Sequence, residues 1–299
     1  MDNRKVIAIV GLGLLGGSLG LALRDRGFHR IGWSRRQETC SDALAMGVVD
    51  EAPASLEEAI QAADITVLAT PLAPTVEILQ AQASNWRRGS LVTDLGSLKH
   101  QIVMAAEAVF QGTGVNFVGS HPMAGTEKSG LEFAFPELYS NADVFLCPAP
   151  GCSPEALRVM ADFWELLSCR IYEMDSERHD QLVARTSHVL HILASVLARS
   201  ILRSDSAKEQ RERFCGCATG FRDISRIAAS SPAMWREIIE LNQPAVLAAM
   251  KDFEQEYFYV KDLIERGDFD AYEQCFDEGR RLRNQWVAYK QKEASGSST

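Results

Sequence analysis

The chain has 299 residues, 46% of them apolar and 24% charged, with a formal net charge of −9 at pH 7. That length exceeds one ordinary domain, so two are expected. The acidic balance, with no cluster of Lys and Arg to override it, excludes broad binding to nucleic acid or anionic membrane, and no apolar run approaches the ~18 residues that a bilayer span needs.

Val6-Ile7-Ala8-Ile9-Val10 reads as a buried strand, and Gly11-Leu12-Gly13-Leu14-Leu15-Gly16 follows at once, opening a helical stretch over 14–26. This glycine spacing lets a strand turn sharply into a helix whose N-terminus cradles a pyrophosphate. Gly11 permits the turn, Gly13 lets a cofactor approach the backbone, and Gly16 lets the helix pack on the strand. Leu14 and Leu15, at the helix start, are counted with this dinucleotide site. The second strand, 30–33, ends in Ser34-Arg35-Arg36. NAD-binding folds place Asp or Glu there for the adenine ribose, and that carboxylate would repel a 2′-phosphate. A serine hydroxyl and a guanidinium fork bind one. The expectation is NADP ahead of NAD, carried by Ser34 and Arg35 with Arg36 pointing away; two arginines solvating a loop is the plain alternative.

Helices are expected at 38–46 and 56–62, then a strand at 65–69 that stops at Thr70-Pro71, both placed at the cofactor site. Pro74 is expected to open the next helix. A strand at 91–94, a helix at 98–108, a strand at 116–119 running into His121-Pro122, a strand at 144–146, a helix at 154–167 and a strand at 170–172 follow. Such β-α alternation with short connections implies a Rossmann-type, doubly wound, mostly parallel sheet over 1–175. From 176 onward no strand is convincing, and apolar residues recur at helical spacing, as in Leu182, Val189, Leu193 and Val196. An all-α domain over 176–289 is expected to bury one face in a second copy, making a homodimer. The polar tail 290–299 is expected to be disordered. The first strand is expected to start within a few residues of Met1, so no signal peptide is expected. Seven cysteines without a CxxC pair read as free thiols of a cytoplasmic protein.

Ligands of open α/β sheets bind beyond the carboxyl ends of the strands. Two polar clusters lie at such ends: Asp94-Leu95-Gly96-Ser97-Leu98-Lys99 and the run from Gly119 to Gly130. An imidazole there, His121, can accept a proton from a hydroxyl whose carbon gives up hydride, and its pKa suits neutral pH. As a loop residue it can equally belong to the surface. Ser97 can orient that imidazole, contact substrate or cap a helix. His179, His188 and His191 gather in the helical half without a third ligand of metal-binding pattern, so a polar cleft and no metal are expected. Arg222, Asp223 and Arg226 follow Gly220 around a helix start, as either a bidentate carboxylate clamp or a surface salt-bridge cluster.

Together these motifs resemble the prephenate/arogenate dehydrogenase family of tyrosine biosynthesis. The carrying segments are 10–18, 94–99, 119–130, His179-Asp180, Ser187-His188-Val189-Leu190-His191, 220–226 and Met234-Trp235-Arg236, in the family's order over nearly the whole chain. The resemblance implies an NAD(P)-dependent oxidative decarboxylation of prephenate to 4-hydroxyphenylpyruvate, or, in the family's other activity, conversion of arogenate to tyrosine. It implies His121 as the hydrogen-bond acceptor for the ring hydroxyl with Ser97 beside it. It further implies Arg226 as the clamp for the side-chain carboxylate and His191 as another substrate contact. Glu127 and Asp223 would join the ionic network around that arginine, with Gly220 at the same site. Many relatives carry the acid after the second strand, whereas Ser34-Arg35 matches the NADP-using members.

Two other readings compete. A β-hydroxyacid dehydrogenase also joins a Rossmann half to a helical half, but it relies on a lysine in the helical domain, and none occurs between Lys128 and Lys208. A non-catalytic NADP-sensing regulatory protein would lack a proton acceptor, and His121 supplies one.

Overall fold

A computed structural model describes residues 4–126 and 128–294. The strands are β1 (Lys5–Val10), β2 (Phe28–Trp33), β3 (Ile65–Leu68), β4 (Leu91–Asp94), β5 (Asn116–Pro122), β6 (Asp143–Pro148) and β7 (Arg170–Glu173), in one sheet of order β2-β1-β3-β4-β5-β6-β7. The first five are parallel; β6 runs antiparallel to β5, and β7 parallel to β6. Helices α1 (Leu14–Ala22), α2 (Gln37–Ala45), α3 (Leu56–Ala62), α4 (Leu72–Ala81), α5 (His100–Phe110) and α6 (Pro154–Glu165) make the crossovers. Helices on both faces explain why Ile7–Val10 reads as a continuous apolar run: all four residues are fully buried. Because β2 lies on one side of β1 and β3 on the other, a crevice opens beyond their carboxyl ends.

The elements follow the expected pattern, with differences at their ends. α4 begins at Leu72, before Pro74, because proline is tolerated within a helix's first turn. α1 stops at Ala22, short of the expected residue 26. β5 continues past Gly119 to Pro122, because β6 pairs antiparallel with its last turn of chain, His121 opposite Phe145. His121 is therefore a strand residue and not a loop residue. Behind it, Trp164 on α6 is fully buried and donates from Nε1 to Ser120 Oγ at 3.0 Å, tying helix to strand. Truncating such a ring to alanine costs ~3–5 kcal/mol.

From Ser176 the described chain is helical: α7 (Ser176–Val183), a π-helical turn (Ala184–His188), α8 (Val189–Leu202), α9 (Ala207–Gly216), α10 (Thr219–Ser225), a 3₁₀ turn (Arg226–Ala229) and α11 (Pro232–Leu241), then α12 (Gln243–Arg266) and α13 (Phe269–Ala294). Asp175 starts α7 by accepting from the amides of Glu177 and Arg178, a side-chain N-cap. The compact units do not follow the change from sheet to helix. One runs to Gln243 and unites the sheet with α7–α11; the other starts at Pro244 and holds nearly all of α12 together with α13.

In the second unit, Gly267 at φ +70° and the bond from Asp268 N to Leu263 O at 2.9 Å end α12. Asp268 Oδ1 then accepts from Ala271 N to start α13. Phe258, Phe276, Leu282 and Trp286 of these helices are each more than half exposed. α13 carries helix through Ala294, so residues 290–294 are helical where disorder was expected, and 295–299 lie outside the described residues. Among the described residues no helix is long and apolar enough to cross a membrane.

Candidate active site

The β1–α1 turn is built as a phosphate cradle. At Gly11 (φ +102°) an added Cβ would stand 2.5 Å from Ala69 O at the end of β3; at Gly16 it would stand 1.9 Å from Gly11 O. Any side chain at either position would push strand and helix apart. Above Gly13, by contrast, nothing lies within 4 Å of an added Cβ. The first α1 hydrogen bond runs from Gly17 N to Gly13 O, so the amides of Leu14, Leu15 and Gly16 have no helical acceptor and face the N-terminal end. That arrangement fits a dinucleotide pyrophosphate.

A cavity of about 570 Å³ lies beside this turn, and Gly11, Gly13, Ser34, Arg35, Thr70 and Pro71 line it. Leu14, Leu15 and Gly16 do not line it; their contribution is the amide row. Arg36 lines the same cavity, against the expectation that it points away, and so does Thr39. Glu77, on α4, is the single carboxylate on its wall among the described residues, and none comes from the end of β2. Thr70 spends its hydroxyl on Thr75 Oγ1 at 2.7 Å.

At the carboxyl end of β5 a chain of three titratable groups leads inward. His121 Nδ1 lies 2.8 Å from His179 Nε2, and His179 Nδ1 lies 2.7 Å from Asp180 Oδ1. Asp180 also accepts from two main-chain amides at the start of α5, Lys99 N at 2.8 Å and His100 N at 3.0 Å. An acceptor so engaged keeps the His179 hydrogen on Nδ1, which donates to it, and leaves His179 Nε2 to accept in turn. The hydrogen between the rings therefore belongs to His121 Nδ1, and His121 Nε2 carries the bare lone pair. That nitrogen has no partner among the described residues. Burial first, then His179, Lys99 and His188, holds the His121 proton affinity well below that of an ordinary imidazole, so the ring is neutral at pH 7. The arrangement is a general-base geometry: an acceptor oriented from behind by a second group.

The helical residues of the same unit stand together. His191 stacks on Trp235 with ring centroids 4.0 Å apart and anchors its Nδ1 on Ser187 O at 3.0 Å. Burial and the nearby Arg226 charge lower its pKa. The Trp235 Nε1 donor is buried without a partner among the described residues. His188, edge-on to Trp235, is held at Nδ1 by Asn242 at 3.3 Å, and burial lowers its pKa to about 4. Asn242 also donates to Asp180 O at 2.9 Å, joining the end of α11 to α7.

Other candidates are placed differently. Ser97 is half-buried in the β4–α5 turn, but the contact that orients His121 comes from His179. Asp223 stands 3.6 Å from Arg222 on exposed surface, not against Arg226 as expected. Gly220 is exposed on α10 with open space around it, and Arg226 begins the following turn. Glu127 lies outside the described residues.

Three features escape the sequence patterns. His179 as the orienting group is signalled only by its adjacency to Asp180. The stack of Trp235 on His191 joins residues 44 positions apart. Lys99 and Asp94, both fully buried and ion-paired, look on paper like solvated charges.

The nucleotide-binding domain model of prephenate dehydrogenase matches residues 19–173, and the prephenate dehydrogenase dimerization domain model matches residues 175–278. A prephenate dehydrogenase of Lactococcus lactis subsp. cremoris is 34% identical over 289 residues, covering 96% of this chain and 78% of that protein. The solved structure of prephenate dehydrogenase from Aquifex aeolicus, in complex with hydroxyphenyl propionate and NAD+, superposes with a TM-score of 0.86 at 30% identity, covering 95% of this chain and 98% of that one. Synechocystis arogenate dehydrogenase superposes with a TM-score of 0.83 at 31% identity, covering 94% and 99%. With its doubly wound sheet, glycine turn and helical C-terminal half in that order, the chain belongs to the prephenate dehydrogenase family of oxidoreductases.

Proposed function

We propose that the protein catalyses the oxidative decarboxylation of prephenate to 4-hydroxyphenylpyruvate with NADP+, as a cytoplasmic homodimer in tyrosine biosynthesis. The observation that carries the reading is the His121–His179–Asp180 chain, which leaves one neutral imidazole nitrogen free at the carboxyl end of β5, on the same edge of the parallel sheet as the glycine turn after β1. His121 Nε2 accepts the proton of the ring C4 hydroxyl while the C4–H bond breaks. A bound nicotinamide supplies the hydride acceptor for that step. The C4–O bond becomes a carbonyl, the bond to the ring carboxylate breaks to release carbon dioxide, and its electron pair makes the ring aromatic. The imidazolium then returns its proton to the phenolic oxygen. Aromatisation drives the reaction, so the protein has to position, polarise and exclude water. Arg226 fits the role of clamp for the side-chain carboxylate, beside the His191–Trp235 stack.

NADP+ over NAD+ is supported by Ser34 and Arg35 on the cavity wall and by the lack of a carboxylate from the end of β2. The domains in this reading are a dinucleotide-binding part over 1–175 and a helical substrate and dimerisation part over 176–289. Exposed aromatic residues of α12 and α13, such as Phe258 and Phe276, supply apolar surface for a second copy. The small-molecule substrate needs neither nucleic acid nor membrane, and seven free cysteines suit a reducing compartment. A steady-state assay with prephenate and arogenate, each against NAD+ and NADP+, tests the reading. The expected result is highest kcat/KM for prephenate with NADP+. Turnover of arogenate alone would move the assignment to arogenate dehydrogenase, and turnover of neither substrate would leave a binding protein.

A further inference from the structure

Lys99 is the most deeply buried cation among the described residues, with none of its side chain exposed. Its ammonium pairs with Asp94 Oδ2, equally buried, and donates to Ser120 O at 2.9 Å. The side chain reaches that carbonyl over Gly119, where an added Cβ would stand 3.2 Å from Lys99 Cδ. The main-chain amide of the same residue donates to Asp180 Oδ1, the oxygen that also holds His179. The contacts close a ring: Lys99 grips the residue before His121 with its side chain and the far end of the imidazole chain with its backbone.

The pair is an expensive way to hold a fold together. Asp94 Oδ1 is buried with no partner among the described residues, and desolvation pushes the Asp94 carboxyl up against the pull of Lys99. Buried ion pairs commonly add little stability over apolar residues of similar volume. A cation kept beneath the reacting imidazole has a second use, since a positive charge there disfavours imidazolium. The charged and titratable groups around His121 are His179 and Asp180 on α7, His188 on the π-helical turn, and Asp94 and Lys99 beneath the strand end.

We propose that Lys99 is a positioning residue for this reaction, fixing the end of β5 that carries His121 and holding the imidazole in its neutral, proton-accepting form. The role rests on the reading of His121 as proton acceptor. In Lys99→Met/Asp94→Asn, which removes both charges and strands neither, kcat falls ~10- to 100-fold while the cofactor KM stays put. The acid limb of kcat/KM against pH moves up by about half a unit or more, because the imidazole loses its cationic neighbour. Asp94→Asn alone keeps the ammonium, and its acid limb stays in place or moves down. Titration of the His121 ring by NMR in the cofactor-free protein reads the same shifts without turnover. It decides the role of Lys99 even if prephenate proves not to be the substrate. An unmoved titration and acid limb in the double variant overturn the proposal whatever kcat does. Failure of both variants to fold overturns it too, since the pair would then be structural.

Discussion

His121 Nδ1 stands 2.8 Å from His179 Nε2, and that single contact decides which nitrogen of the candidate acceptor is bare. Asp180, pinned by two amides at the start of α5, accepts the hydrogen bond donated by Nδ1–H on the other side of His179. The imidazole tautomer is thus set by a helix start rather than by substrate. His121→Asn preserves the fold and cofactor binding but cannot accept the hydroxyl proton. Its kcat is expected to fall by ~10²–10⁴, the usual worth of a positioned acid–base group. Single-turnover rates check this, and near-normal turnover would remove His121 from the mechanism.

Arg226 lies near enough to His191 for its charge to depress that imidazole. As a carboxylate clamp it acts in the ground state and in the transition state alike, so Arg226→Ala chiefly raises KM for prephenate. The rise is expected at ~10- to 100-fold, the range of one charge-assisted bidentate contact. An unchanged KM with a lower melting temperature would make Arg226 a structural residue.

The cofactor cavity makes a sharper demand. Ser34→Asp/Arg35→Ala restores a ribose acceptor and removes a phosphate partner, so an NADP+ preference of about 10-fold or more is expected to reverse. Arg36 lines the same cavity, and Arg36→Ala is expected to weaken NADP+ more than NAD+. Ratios of kcat/KM for the two cofactors measure both effects. Better use of NAD+ by the unaltered protein contradicts the cavity argument.

His188 supplies a pH dependence of stability. Burial lowers its folded pKa from 6.5 to about 4, so the unfolded chain binds the proton more readily. Stability is therefore full above pH ~6.5, declines as pH falls from there toward ~4, and levels off below, for a total of ~3 kcal/mol. Urea unfolding at pH 7.5 and pH 4.5 reads the loss. His188→Gln, which can still accept from Asn242, is expected to flatten that dependence; an unaltered slope would assign it to other groups.

Local patterns were enough to reveal the sheet and the glycine turn, and they offered His121 as a candidate whose role the family resemblance implied. Apolar runs bounded by glycine and proline have one economical burial, and Gly11 and Gly16 sit where any Cβ meets backbone. Such constraints act between residues close in sequence, so they leave a readable trace. The membership of the histidine chain, the burial of Lys99 and the stacking of Trp235 on His191 required the tertiary structure. Each joins residues from different elements, where the partner is chosen by packing and not by spacing. For the same reason the orienting contact on His121 comes from His179, 58 residues further along, where the sequence offered Ser97 as one of several possibilities. A charged side chain in a sequence reads as solvated; only the fold shows that the carboxylate at 94 and the ammonium at 99 have no water to turn to.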